Sequence, residues 1–392
     1  MITKRIYSIA FTGAMFALAG CTLGRGGPPT PVSGEYDLPA TQEILILSPE
    51  ELERQLAGTA VPGRLPIRFS LYSEKPVLQH GKSNTWDGSF ISPGAIVYHE
   101  GLFHMFYNGS RFIDWGEISA RQIGLAISLD GYEWHRVQDE AVFTPDEVEY
   151  ADNISSFSVL VEDDNTWVMY FSGWSRVSAS RATNFMIGRA TAEAPGGPWI
   201  ADDAAALSLG APGAWDSDYI YGSIVVKTVA GYRMYYTGQQ ETNSAIPWIA
   251  QIGMAESPDG ITWTKFDDPA TTSGKYAESD PVLSFEESSV WDSDGISAPQ
   301  IWKTPDHWVM AYQGIRQGMN YPQIGYATSP DGIVWTRYKG NPVVSLGSLL
   351  PGYYSGGLLF FPHEGVMNLY FSTSKNIRDE YSTFDIYLVT AN

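Results

Sequence analysis

The chain has 392 residues, a formal net charge of −20 at neutral pH, 14% aromatic residues and one cysteine. An acid excess of that size excludes a nucleic-acid partner or an anionic membrane surface held by charge. A single cysteine excludes an internal disulfide framework, so the fold must hold on its core alone.

Residues 1–21 read as a targeting segment. Lys4 and Arg5 form a charged start, Ile6–Ala19 is apolar but too short to span a membrane as a mature helix, and the stretch closes on Leu18-Ala19-Gly20-Cys21. That string resembles the bacterial lipoprotein signal. The resemblance implies that Cys21 is lipidated as the first mature residue, and that Thr22, standing where Asp would retain the protein, directs it to the outer membrane of the cell envelope. An ordinary secretory signal is the plainer alternative. Residues 22–64 read as a Gly/Pro-rich tether leading to a short helical patch, Ser48–Leu56, with Ser48 as N-cap and Glu51 three residues on. Residues 65–392 are the folded domain.

Within that domain one phrase recurs five times: Phe103–Gly109, Trp167–Gly173, Tyr232–Gly238, Trp308–Gly314 and Met367–Thr373. Each is rich in Tyr, Phe, Trp and Met, which suits a strand and is too short for a helix. An apolar run precedes each copy: Ile91–Tyr98, Phe157–Glu162, Ile220–Lys227, Ile296–Lys303 and Gly357–Pro362. A second phrase follows, clearest as Ile252–Phe266 and Ile324–Tyr338, looser at Ile123–Val137, reduced to Ile187–Ala190, and replaced in the fifth unit by Ile386–Ala391. Its Ser-Pro-Asp-Gly predicts a tight hairpin, Asp supplying an Asx-type turn and Gly a positive φ. Short closing strands are expected at Ala141–Phe143, Ala206–Leu209, Pro281–Phe285 and Pro342–Ser345. The fifth unit lacks one, and Ile67–Leu71 or Pro76–Leu78 would supply it, closing a ring without free edges. A period of about 60–70 residues made of strands predicts an all-β, five-bladed β-propeller of four-stranded antiparallel blades.

Recurring residues hold a repeat together, so polar residues that break the pattern are the better site candidates. Trp86-Asp87, Trp215-Asp216 and Trp291-Asp292 recur, with Asp152 in a similar place, and the plain reading is a turn cap beside a packing Trp. Chain direction brings the starts of the first strands beside the ends of the second strands, on one rim. Acids Asp87, Asp152, Asp218 and Asp294 would gather there with Arg111, Arg176, Arg316, Lys375 and Glu241. Carboxylates near cations suit hydrolysis of a glycosidic bond, and converging cations suit an anionic ligand such as a carboxylate or sulfate. A ring of inter-blade ion pairs is the competing reading. The aromatics suit packing between blades first, and stacking on sugar rings second. No histidine pair has metal-site spacing, and no cofactor is implied. Aspartates near the axis would suit a structural calcium, but no loop has calcium-ligand spacing.

The phrases Trp291–Trp302, Trp308–Gly314 and Ile324–Val344 resemble the five-bladed propellers of glycoside hydrolase families 43 and 32, over roughly residues 67–392. The resemblance implies a glycan-active, extracytoplasmic protein acting on oligo- or polysaccharide. In family 43 an Asp directly before a Pro in the first inner strand is the base, a second-blade Asp orients, and a third-blade Glu is the acid. Here Ser92 precedes Pro93, and the run 218–227 holds no Glu. The assignment that follows is Asp87 as base, Asp152 as orienting acid and Glu241 as general acid, with Arg111, Trp174, Arg176, Gln239, Arg316 and Lys375 binding substrate. The alternative is a glycan-binding surface lipoprotein that keeps the fold without catalysis.

Overall fold

The computed structural model describes residues 69–114, 117–178, 181–241, 248–286, 289, 291–303, 307–317, 322–349, 354–363, 366–374 and 383–391. Cys21, the tether, the Ser48–Leu56 patch and Lys375 lie outside them. The described chain is all-β apart from three short helical turns, and none of its helices is long and apolar enough to cross a membrane.

Five antiparallel units follow one another. Their first strands are Phe90–His99, Asn153–Val161, Tyr219–Thr228, Gly295–Lys303 and Tyr354–His363. Each pairs with the strand made by the repeated phrase: Leu102–Ser110, Trp167–Ser178, Gly231–Glu241, Trp308–Ile315 and Val366–Ser374. The third strands are Gln122–Ser128, Arg181–Ala192, Trp248–Ser257, Gln323–Ser329 and Asp385–Ala391. The third and fourth units join through one parallel bridge, Ala250 to Gly295.

The fourth strand differs from expectation, because it is split. A two-residue piece directly after each turn pairs with the third strand: His135–Arg136, Thr264–Lys265 and Thr336–Arg337, with Ile200–Ala201 in the second unit. The segments expected to close the units also pair, further along the same strand, through Phe143 with Ile123, Leu207 with Ile187, Leu283 with Ile252 and Val344 with Ile324. The fifth unit repeats this with the N-terminal chain. Ser70–Leu71 pairs with Val389–Thr390 and Leu78 bridges Ile386, so both candidate segments contribute.

The Asp-Gly turns are alike. In the first unit Ser128 Oγ accepts the Gly131 N–H at 2.9 Å, and Asp130 Oδ1 accepts those of Tyr132 and Glu133 at 2.8 and 3.0 Å. Ser257/Asp259 and Ser329/Asp331 repeat the set. The glycines have φ between 72° and 79° in all three turns, where a side chain would be strained. Each turn is held by a tyrosine of the preceding unit: Tyr170 to Gly260 O, Tyr235 to Gly332 O and Tyr370 to Gly131 O, at 2.7–2.8 Å. The last of these joins the fifth unit to the first. Cores of aromatic and branched side chains fill the spaces between units, so the high aromatic content is largely structural.

Candidate functional site

The Trp-Asp pairs form one scaffold element built three times. Trp86 stacks on Tyr107 at 5.6 Å and Trp215 on Tyr236 at 5.9 Å, with Trp291 tilted on Tyr312 at 5.4 Å. Gly109, Gly238 and Gly314 lie under the indoles, where a Cβ would come within 2.2–2.3 Å of a ring carbon. Each Asp faces a cation from the split fourth strand. Arg136 Nη2 and Nε donate to Asp87 at 2.8 and 2.9 Å, Lys265 Nζ to Asp216 at 2.6 Å, and Arg337 Nε lies 3.6 Å from Asp292. The hydroxyls of Tyr107 and Tyr236 add bonds to the first two carboxylates. Burial raises both phenols above their usual value and pushes Tyr312 up to about 12, so all three stay protonated.

Asp87 is therefore 2% exposed and held by Arg136, Thr85 and Tyr107. It lies two residues short of the rim, where Ser89 N bonds Ser110 O. That is the environment of a structural acid, and it argues against Asp87 as a base open to substrate.

The rim itself forms as chain direction requires. The N–H groups of Asp152, Asp218 and Asp294 donate to the carbonyls of Trp174, Gln239 and Ile315. So Asp152 is equivalent to Ser89, Asp218 and Asp294, not to the Trp-Asp acids. These rim side chains fasten the outgoing strand: Ser89 Oγ accepts Phe112 N at 3.0 Å, Asp218 Oδ2 accepts Glu241 N at 2.9 Å, and Asp294 Oδ2 accepts Gln317 N. Asp152 is exposed, and its Oδ1 accepts Asn153 Nδ2 at 2.9 Å. Glu241 is exposed and accepts the Tyr219 hydroxyl at 2.6 Å. Arg111 and Arg316 are exposed at the ends of their strands. Arg176 lies in the strand Trp167–Ser178, with its side chain outside the described set. Trp174 is 1% exposed and stacks on Phe185, and Gln239 is buried and bonded to Tyr221. Neither of these two offers a surface to substrate.

What sequence reasoning missed lies where the first strands of the five units meet. Every first strand carries a bulge at the same level, between Pro93 and Ala95, Ser155 and Phe157, Tyr221 and Ile224, Ser297 and Gln300, and Ser355 and Leu358. Ser156, Gly222 and Ala298 take positive φ there, at 42°, 63° and 50°. The bulges of all five units line one central cavity, joined by Asn108, Gln313 and Arg121. Its described lining holds no carboxylate, and Ser92 stands where the resemblance would place the base.

The repeated phrase carries Asn108, Ser172, Thr237, Gln313 and Ser372 at one position, and of these Asn108 and Gln313 line the cavity. Short hydroxyls there join neighbouring units. Ser172 Oγ accepts Gly222 N and Thr237 Oγ1 accepts Ala298 N, both at 3.0 Å. Pro93 has no N–H to offer, and Ser372 Oγ donates to Ile91 O at 2.6 Å instead. The two long amides break the pattern and line the cavity. Their signal in the sequence is that break: Asn and Gln stand where the other three copies carry Ser or Thr.

Arg121 is 4% exposed, with its guanidinium carbon 5.3 Å from the Phe90 ring and 5.8 Å from the Trp174 ring. Asn153 connects it to the rim, accepting Arg121 N at 3.3 Å while donating to Asp152. Among the described residues, no group of three or more His, Cys, Asp or Glu side chains is placed to hold a metal.

No family model matches the chain. A 1,2-beta-oligomannan phosphorylase of Thermoanaerobacter sp. (strain X514) is 31% identical over 74 residues, which are 18% of this chain and 25% of that protein. The match thus spans about a quarter of the curated relative. Similar solved structures include a glycoside hydrolase at TM-score 0.62 and 16% identity, covering 88% of this chain and 96% of the other. A family 117 glycoside hydrolase of Zobellia galactanivorans matches at 0.57 and 17%, covering 82% and 90%. A thermostable family-43 glycoside hydrolase matches at 0.55 and 16%, covering 78% and 92%. The chain thus has the all-β, propeller-type fold of glycoside hydrolases, and at these identities the likeness is one of fold.

Proposed function

We propose that this protein is glycan-active and binds a saccharide at the mouth of the central cavity. We read the five units as five blades of one closed ring. The observation that carries the reading is the cavity wall. It is built from the bulges of all five first strands, its described lining carries no carboxylate, and two buried oxygens on it, Asn108 Oδ1 and Ser223 Oγ, have no hydrogen-bond partner among the described residues. Buried acceptors without donors are costly unless water or ligand supplies them, and sugar hydroxyls are donors. The names of the fold neighbours favour the same ligand class.

Hydrolysis is the second reading. It is favoured by two exposed carboxylates on the rim, Asp152 and Glu241, the latter hydrogen-bonded to Tyr219. In that reading Glu241 is the acid and Asp152 its partner, while Asp87 has no chemical role. Incubating the protein with a panel of plant and algal polysaccharides, with binding and reducing-end release recorded together, separates the two. Release abolished by D152N and E241Q supports hydrolysis, and binding without release supports recognition alone. No binding to any glycan overturns both.

The leader reading also belongs here: a lipid anchor on Cys21 and a place in the bacterial cell envelope, on the outer membrane. Incorporation of labelled fatty acid that is lost in C21S supports it. Labelling that survives C21S, or no labelling, overturns it.

A further inference from the structure

The central cavity is narrow. It encloses about 60 Å³, room for roughly two waters. A substituent of a sugar fits such a space; a pyranose ring does not. The ring must therefore rest above, at the mouth, and send one group down. Arg121 is the one charged side chain of the described lining, and it is already engaged, with the rings of Phe90 and Trp174 beside it. What the described wall offers a ligand is therefore neutral.

The chemistry of the wall says which group. Pro93, Phe157, Ala298 and Leu358 give it apolar surface from four of the five units. Asn108 is 4% exposed and Ser223 5% exposed, and Asn108 Oδ1 and Ser223 Oγ have no hydrogen-bond partner among the described residues. Both residues line the same cavity, from the first and third units. An amide oxygen only accepts, whereas a serine hydroxyl both donates and accepts. A ligand hydroxyl also does both, so one such group can donate to Asn108 Oδ1 and accept from Ser223 Oγ. A carboxylate has no proton for Asn108, and a methyl group serves neither oxygen. A ring hydroxyl adds one heavy atom to the ring; an exocyclic hydroxymethyl adds two, which matches a space for two waters.

We infer that this neck selects a neutral hexopyranose by its hydroxymethyl group: the C6 hydroxyl donates to Asn108 Oδ1 and accepts from Ser223 Oγ, while C6 itself packs against Pro93, Phe157 and Leu358. Gln313, the other amide that breaks the repeat, lines the same wall and is a further specificity residue. A 6-deoxyhexose or a pentopyranose seated the same way would leave both oxygens buried and unpaired, and a site built to bond a hydroxyl discriminates against the analogue without it. This rests on the glycan-binding reading above and adds the substrate class.

The test is calorimetric titration of the full chain with methyl glucoside, methyl galactoside and methyl mannoside, each against its 6-deoxy counterpart, with methyl xyloside and methyl glucuronide alongside. The expected result is that at least one hexoside binds and that its 6-deoxy form binds at least about tenfold more weakly. Methyl xyloside should bind no better than the 6-deoxy sugars. N108A and S223A should each narrow the gap between hexoside and 6-deoxyhexoside. A 6-deoxy sugar that binds as tightly as its hexoside overturns this inference and leaves the glycan reading standing. So does a gap unchanged in both variants, which would place the C6 hydroxyl elsewhere. Methyl glucuronide binding tenfold tighter than methyl glucoside overturns the hydroxyl assignment. No binding of any saccharide overturns the glycan reading itself. Should N108A or S223A fail to fold, the wild-type ligand series decides the matter without a variant.

Discussion

Replacing Asp87 by Ala separates a structural acid from a chemical one. The carboxylate accepts two bonds from Arg136, one from Thr85 and one from Tyr107, at 2.8–3.3 Å. Its side chain is 3% exposed and that of Arg136 25%. Removing one partner of a buried pair costs about 3–5 kcal/mol, mostly because the other charge is left without compensation. The partial exposure of Arg136 lets water relieve some of that, which points to the lower end, about 3 kcal/mol. For a chain this long, that corresponds to a fall in Tm of roughly 6 °C. The assay is urea unfolding followed by tryptophan fluorescence, with saccharide binding measured per folded molecule. Binding should be unchanged. The companion changes should rank by geometry. D216A costs more, since Asp216 is fully buried 2.6 Å from Lys265, and D292A costs less, since its Arg337 contact is 3.6 Å. A D87A protein stable to within 1 kcal/mol of wild type that has lost binding or turnover tenfold would refute the scaffold reading and restore Asp87 as a site acid.

Three further outcomes follow from the same structure. G238A should destabilise by about 1–3 kcal/mol and change the near-ultraviolet dichroism of the tryptophans, because its Cβ would meet Trp215 at 2.3 Å; G196A, with nothing within 4 Å, is the neutral control. Acid should weaken the fold through the turns. Backbone N–H groups of Thr262 and Ile261 hold Asp259 below its usual value, and Val334 N–H leads the same effect on Asp331. A carboxylate lowered in the folded state contributes stability above its unfolded value, near 4, and loses it as pH falls through the folded value. The acid limb of a pH–stability curve should therefore be shallower in D259N and D331N. Asp292 has the opposite sign. Burial raises it, so its contribution favours the fold at low pH and is lost as pH rises through the raised value. D292N should be nearly neutral or slightly stabilising at pH 7 in the same denaturation series, and a loss above 2 kcal/mol there would contradict this.

Much of the scaffold was legible because each unit repeats its chemistry. The five aromatic phrases became second strands within a few residues, since Tyr, Phe and Trp at alternate positions suit a sheet buried between neighbours. The Asp-Gly turns were readable because Ser, Asp and Gly each have one local task there. The split fourth strand was less visible: its two-residue pieces leave no periodicity, and its cations matter only through partners about 50 residues away, Asp87 with Arg136 and Asp216 with Lys265. The rim was half legible. Chain direction brought strand starts and ends together, but Asp87 lies two residues short of the rim position held by Ser89, and Trp174 sits in the core beside Phe185. The cavity was not legible at all, because it depends on five bulges at one level, and a bulge is a matter of register rather than of residue type. Asn108 and Gln313 show in the sequence only as long amides at a phrase position where the other copies carry Ser or Thr, and Arg121, just ahead of its strand, gives no such signal.

The most direct test of glycan recognition at the cavity mouth is a crystal structure of the full chain soaked with a saccharide that it binds. Density for a sugar ring over the bulges of the first strands, with a substituent within hydrogen-bond distance of Asn108 and Ser223, is the predicted result. A sugar bound only at the outer surface, with the central cavity holding water alone, would contradict it.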